Sequence, residues 1–428
     1  PPWLKDAAGA KLPVSGPVPV TGRDDDGFWT VTTDAAVTPW QIGDGSGNPV
    51  EATGDEQVEL FRSVKAGNGR VEIALTDGGT LSAAQVNDLS VAGTANCYVV
   101  SAPGTYVFNA RVRGNGAGEG VGFEPAIEMA DGMTADWLWT DSEGLVSGVA
   151  LDTTSGDIFL TVGEGRGNAL VALMQDGKVV WSWHVWVTDA PQTMTYGNGT
   201  VFMDRNLGAV GTTAGGTDAY GMYYQWGRKD PFYGGEKTET SANAFLEAKN
   251  GTVVNPAYPA LDWAFSKSAT TTDGAAANPM TFYNDKVGTG YNWLASPNAT
   301  LWGEAKTLND PCPPGYRVPE TGAWEDLISG RQYIDGVSVW DGTNYGMTYT
   351  HEEQTAWYPA QGYRNYSSGA IVGLRSSTGG SGAYWSAETS SVKSYYLFFR
   401  SKLSSSGSIN NELDMNRSYG YTVRCCKE

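Results

Sequence analysis

Ala169-Leu170-Val171-Ala172-Leu173-Met174, Gln175-Asp176-Gly177-Lys178 and Val179-Val180-Trp181-Ser182-Trp183-His184-Val185-Trp186-Val187 follow one another without a break. Two apolar runs of strand length flank a turn centred on Asp-Gly, a dipeptide that accepts the positive φ angles of a tight hairpin loop. By the two-residue period of a strand, Val179, Trp181, Trp183, Val185 and Val187 share one face, and Ser182, His184 and Trp186 share the other. The first face is core, and the second is expected to be partly covered. The stretch places the chain among β-sheet proteins.

Upstream, Asn96-Cys97-Tyr98-Val99-Val100, the turn Pro103-Gly104 and Thr105-Tyr106-Val107-Phe108-Asn109-Ala110 predict another hairpin. Residues 91–190 therefore predict a β-sandwich domain. Residues 1–90 read as short strands at Phe28–Thr32, Val58–Phe61 and Val71–Leu75, with turns at 43–47 and 67–69. Leu81–Val86 reads as one short helix. A sandwich-like domain is expected there too.

Downstream, Asp189-Ala190-Pro191 is a natural boundary, and residues 191–428 are more irregular, with aromatic islands between Gly, Ser, Thr and Asn. A helix is predicted over Thr321–Ile328. Thr321 serves as its cap, and Trp324, Leu327 and Ile328 share one face. Strands are predicted at Tyr384–Ser386, Ser394–Phe399 and Tyr419–Cys425.

Composition agrees with many short strands joined by turns: among 428 residues there are 56 glycines, 22 tyrosines and 16 tryptophans, and 18% are charged. The net charge of −19 repels phosphate backbones, so a nucleic-acid partner is not expected. No apolar run reaches the length of a membrane-spanning helix. The chain opens Pro1-Pro2-Trp3 with no basic or apolar leader pattern, so a signal peptide, if one existed, has been removed or lies outside this sequence.

Catalytic and metal patterns are sparse. The two histidines are His184, inside a strand, and His351, where Glu352-Glu353 is followed by Thr355 instead of a second His. The four cysteines, Cys97, Cys312, Cys425 and Cys426, form no zinc-ligand spacing. Asp44-Gly45-Ser46-Gly47-Asn48 resembles the start of a calcium loop, but Pro49 stands where glycine is required. No cofactor is assigned.

Three strings occur in order in the C-terminal segment. Phe202-Met203-Asp204-Arg205-Asn206-Leu207-Gly208-Ala209 leads to Tyr220-Gly221-Met222-Tyr223-Tyr224-Gln225-Trp226-Gly227-Arg228-Lys229-Asp230-Pro231. Asp310-Pro311-Cys312-Pro313-Pro314-Gly315-Tyr316-Arg317-Val318-Pro319 comes second. Tyr384-Trp385-Ser386-Ala387, Tyr396–Phe399 and Arg417–Cys425 close the set. Together they resemble a FISUMP domain, the Fibrobacter succinogenes major paralogous family, which is similar to the C-type-lectin-like fold. Ala95–Tyr106 and Trp181–Asp189 resemble the β-domain preceding such modules in fimbrillin-like surface proteins of gut Bacteroidales. The sequence departs from the family at the predicted helix, where Pro319-Glu320-Thr321-Gly322-Ala323-Trp324 replaces the usual Pro-Thr-x-x-Glu-Trp and shifts the cap.

The resemblance implies a mainly β protein: N-terminal β-sandwich domains (1–90 and 91–190) followed by an α+β C-type-lectin-like domain (191–428). It also implies a disulfide between Cys312 and Cys425. Successive strand residues point to opposite faces, so only one of Cys425 and Cys426 can meet Cys312; Cys97 and Cys426 are then expected as buried free thiols. Calcium on loops of such a domain is compatible with the resemblance, although no ligand set is legible. In lectin-like folds the long loops before the final strands carry the ligand. That directs attention to residues 331–380, with Tyr333, Trp340, Asn344, Trp357, Tyr363, Arg364, Asn365 and Tyr366 as binding candidates and Tyr345 and Tyr358 beside them. Loop aromatics can equally pack as satellite cores. Tyr223, Tyr224, Gln225, Trp226, Arg228 and Asp230 read as core with a buried ion pair in preference to a sugar site.

The implied function is an extracellular or outer-membrane adhesin, a pilus-tip subunit binding a glycan or protein ligand on a host or microbial surface. It would join a pilin by donor-strand exchange. The alternatives are a structural surface lipoprotein with no ligand, and a carbohydrate-active or formylglycine-generating-type enzyme using Cys425-Cys426.

Overall fold

The computed structural model describes residues 87–116, 126–153, 155–234, 252–288, 290–374, 380–401 and 409–428 in full, and the backbone of strands between residues 3 and 86. It is mainly β. No helix among the described residues is long and apolar enough to cross a membrane.

Two sheets face each other across a core in the first half. One has the strand order Val253–Val254, Met133–Thr140, Gly167–Gln175, Lys178–Val187, Cys97–Val100. The other joins Thr80–Asp88, Gly104–Asn109, Asp157–Val162 and Val146–Asp152, and continues into the earlier strands. Tyr98, Phe108, Leu160, Val171, Trp183 and Val185 fill the space between. The hairpin at Asp176-Gly177 forms as expected: Gln175 pairs with Lys178, and both turn residues have positive φ, 52° and 73°.

Several expectations are corrected. Cys97–Val100 and Gly104–Asn109 do not pair. The first runs parallel to Lys178–Val187, with Cys97 opposite His184, and the second pairs with Asp157–Val162 in the facing sheet. The short connection arches across the core, so Tyr98 and Phe108 meet from opposite sheets with ring centroids 5.1 Å apart. Leu81–Val86 lies inside the strand Thr80–Asp88, pairing with both Gly69–Thr76 and Gly104–Asn109. A register shift opposite Leu173 and Met174 leaves Val180 as a bulge. It turns Val179 to the opposite face from Trp181, so the two residues belong to different cores.

The second half is built of smaller sheets. Thr193–Thr195, Val201–Met203, Cys426–Lys427 and Tyr316–Arg317 lie in that order, which brings the start of this segment against its last strand through the pair Phe202 and Cys426. A seven-stranded sheet runs Tyr224–Gln225, Gly420–Tyr421, Gln361–Arg364, Ser381–Ser390, Lys393–Arg400, Ile409–Asn416, with Ile371–Leu374 added on Gln361–Arg364. Ser338–Asp341, Gly346–His351 and Gln354–Pro359 form a meander. The predicted helix is a 3-10 helix, Thr321–Leu327, burying Trp324 and Leu327, while Ile328 begins the next strand. Glu320 occupies the cap position without a side-chain cap bond. Thr321 is the first helical residue, and its backbone N–H and hydroxyl instead donate to Glu388.

Packing does not break at Asp189. Cys97, Trp139, Leu170 and Trp186 belong to one core with Tyr223, Trp226, Phe232, Trp263, Trp385, Cys312 and Cys425. Trp186 donates its indole N–H to the carbonyl of Ala209 at 2.9 Å. Asn168 Nδ2 donates to the carbonyl of Gly208 at 3.0 Å. The second face of Lys178–Val187, read as partly covered, is therefore fully buried beneath the downstream segment.

Candidate functional site

The three sequence strings converge on one frame. Cys312 and Cys425 are disulfide-bonded, with Cα atoms 6.0 Å apart and a sequence separation of 113. The Pro-Cys-Pro-Pro-Gly loop is shaped by Asp310. Oδ1 of Asp310 accepts from Lys306 Nζ at 2.8 Å and from the Cys312 N–H at 2.8 Å, and its Oδ2 accepts from the Val318 N–H at 2.9 Å. Arg424, beside the disulfide, donates Nε and Nη2 to Asn206 Oδ1 (3.0 and 2.8 Å) and Nη2 to the Trp357 carbonyl (2.6 Å), and its guanidinium lies 3.7 Å from the Tyr358 ring centroid. Asn206 Nδ2 in turn donates to Gln361 Oε1, which also accepts the Gly221 N–H. Every group of this network is buried, so the frame has few ways to rearrange.

Tyr223, Tyr224 and Trp226 are fully buried, as the core reading expects. The ion pair differs in its cation: Asp230 pairs with Lys229 at 2.5 Å. Arg228 donates to the carbonyls of Thr281 (2.7 Å) and Pro279 (3.2 Å) and to Gln225 Oε1 (3.1 Å), and stacks over Phe232 at 4.9 Å. Arginine's planar fork suits this mixture of carbonyls and ring faces. Cys97 and Cys426 are free and buried, and burial pushes the Cys426 thiol up to about 11. With Cys425 held by Cys312, the adjacent cysteines do not form a reduced dithiol.

The eight binding candidates separate into two groups. Tyr333, Trp357 and Arg364 are buried, and this corrects their reading as surface contacts. Tyr333 donates its hydroxyl to the Arg400 carbonyl at 2.9 Å. Trp357 supplies the carbonyl that holds Arg424. Arg364 donates to the carbonyls of Tyr233 and Gly369 and lies over the Tyr233 ring at 4.2 Å. Trp340, Asn344, Tyr363, Asn365 and Tyr366 remain partly exposed. Trp340 leans on the core at Phe399. The side chains of Asn344 and Asn365 close turns, Asn344 through Asp341 and Asn365 through the Ser367 N–H and hydroxyl.

Tyr363 and Tyr366 join two tyrosines from distant segments. Tyr366 contacts Tyr291 at 4.6 Å and Tyr419 at 4.9 Å between ring centroids, and Tyr419 contacts Tyr363 at 5.7 Å. All four are partly exposed. Burial, followed by the neighbouring Tyr363 and Tyr366, pushes the Tyr419 hydroxyl up to about 12. Sequence reading passed over Tyr291 and Tyr419. Tyr419 sits in the last of the three sequence strings, but nothing local to either residue marks a shared surface.

An open cleft of about 680 Å³ lies between the 3-10 helix and the terminal strands and is lined by Asn198, Thr200, Arg317, Glu320, Glu388 and Lys427 among others. Among the described residues no group of three or more His, Cys, Asp or Glu is placed to hold a metal ion. The Asp44–Asn48 stretch lies outside the described residues. No protein-family model, curated protein or solved structure matches the chain.

Proposed function

We propose that this chain is an exported surface adhesin whose segment 191–428 is a lectin-like head that recognises a ligand without chemical change. One observation carries the reading: partly exposed aromatic and amide residues, Trp340, Tyr363 and Tyr366 with Asn344 and Asn365, are mounted on a frame locked by a disulfide and buried arginine networks. A rigid frame lowers the entropy cost of binding, and tyrosine and asparagine supply contact area and adaptable hydrogen bonds. The lectin-like assignment is supported by the Cys312–Cys425 bridge and by the pairing of the segment's first strands with its last. The acidic surface fits an extracellular or outer-membrane site.

If the protein is a pilus-tip subunit, it must accept a donor strand. The test is the full chain on arrays of glycans and surface-protein extracts, with and without calcium. Saturable binding to a defined ligand supports the adhesin; silence on both arrays would leave a purely structural surface protein.

A further inference from the structure

We propose that Tyr291, Tyr363, Tyr366 and Tyr419 form one subsite that takes the C–H face of a neutral sugar ring. The inference rests on the reading of segment 191–428 as a recognition head and names the chemistry of its ligand. Tyr291 belongs to the strand Gly290–Asn292, Tyr363 to Gln361–Arg364, Tyr366 to the turn after it, and Tyr419 precedes Gly420–Tyr421. The fold thus collects the four from three regions of the chain and leaves each partly open to water.

The residue type narrows the occupant. An interface meant for apolar side chains has no use for four phenol hydroxyls. Among the described residues none of the four hydroxyls takes a hydrogen-bond partner from the protein. The row therefore offers aromatic surface beside unused donors and acceptors, the combination that a pyranose, apolar on one face and hydroxylated at its rim, requires. The raised Tyr419 hydroxyl stays protonated, and so able to donate, throughout the neutral range.

Spacing separates a sugar from the other ligand that favours tyrosines, a proline-rich peptide. Such peptides insert prolines into slots between aromatic ridges. Here successive rings touch, at 4.6, 4.9 and 5.7 Å, and leave no slot between them. They form a continuous surface, faceted by tilts of 46°, 55° and 65°. The chain's net charge of −19 disfavours acidic sugars over neutral ones.

The test is saturation-transfer NMR on the full chain with methyl glucosides, galactosides, mannosides and N-acetylglucosaminides, and with a hexaproline peptide as the competing class. Tyr366→Ala, Tyr419→Ala and Tyr366→Phe are compared with wild type, with thermal melts reporting folding. The expected result is saturation of C–H protons on one face of a neutral sugar. Affinity should fall at least fivefold in each alanine variant and much less in Tyr366→Phe, which keeps the ring. Sugar binding that survives unchanged in both folded alanine variants would overturn the subsite while leaving the head as a glycan binder. No transfer to any sugar from a wild-type chain that still binds a protein ligand would overturn the sugar and spare the adhesin. Hexaproline binding lost in the alanine variants would replace the sugar with a peptide.

Discussion

Nε2 of His184 lies 2.8 Å from Oδ1 of Asn168, deep between the sandwich and the segment that follows it. An amide oxygen only accepts, so the imidazole donates from Nε2, and Nδ1 is left to accept from the Tyr224 hydroxyl at 3.4 Å. Asn168 Nδ2 donates onward to Asp141 Oδ2 and to the Gly208 carbonyl. His184 is thus neutral by construction, and burial holds it down to about 3.

That depression has a sign. An unfolded histidine takes a proton below about 6.5, which the folded one refuses until about 3. The His184 contribution to stability is therefore complete above 6.5 and is lost as pH falls toward 3, at up to about 1.4 kcal/mol per pH unit. Asp141, raised to about 6 by desolvation, titrates in the same range with the opposite sign. The histidine is best read as a difference: the destabilisation caused by His184→Gln, from urea melts, should shrink between pH 6.5 and pH 5. A difference that does not change with pH would refute the buried neutral imidazole.

Removing the Cys312–Cys425 bridge should cost stability. A 113-residue separation corresponds to about 4–5 kcal/mol of unfolded-state loop entropy in the chain-closure picture. The double variant Cys312→Ser/Cys425→Ser should unfold at clearly lower guanidinium concentration than wild type. Both sulfurs are buried, so native protein should also resist reductant until it unfolds. Equal midpoints for the two proteins would count against the bridge.

Lys306→Met should destabilise by about 3–5 kcal/mol, because it strands the carboxylate of Asp310 with both groups about 1% exposed. Lys306→Met/Asp310→Asn should recover part of the loss, since it removes the stranded charge. Thermal melts of the two variants decide this, and a double variant no better than the single would show that the loop, not the charge pair, sets the cost.

Residues 191–428 expressed alone should fold poorly. Tyr223, Trp226, Phe232 and Trp263 would lose Cys97, Trp139, Leu170 and Trp186 from across their shared core, and the Ala209 carbonyl would lose its indole donor. The expected readout is dye binding to exposed apolar surface and loss of a cooperative melt. A sharp melt at the temperature of the full chain would show that the two halves are independent.

Much of this architecture was legible locally. The alternation over Trp181–Val187 and the Asp-Gly turn specify a hairpin because the strand period and the turn's positive φ angles are properties of neighbouring residues, whereas the bulge at Val180 that reverses Val179 is set by the partner strand. Asp310 shapes its loop through equally local bonds, to residues two and eight positions away. The arch between Val100 and Gly104 was not, because a short connection can return within a sheet or cross to the facing one, and only the partner strand decides. Among the binding candidates, Tyr333, Trp357 and Arg364 could not be told from Tyr363 and Tyr366 by type or spacing; whether each is covered depends on segments far along the chain.

The sequence by itself determined what is written in near neighbours: strand periodicity, turn chemistry, the excess of acidic charge and the residue types of the candidate surface. Tertiary structure decided which sheet each strand joined, that Trp186 would be sealed under Ala209, and that Tyr291 and Tyr419 would meet Tyr366. The physical reason is range. A turn or a strand face is set by a few adjacent dihedrals, whereas burial and aromatic contact are set by surfaces that only folding brings together.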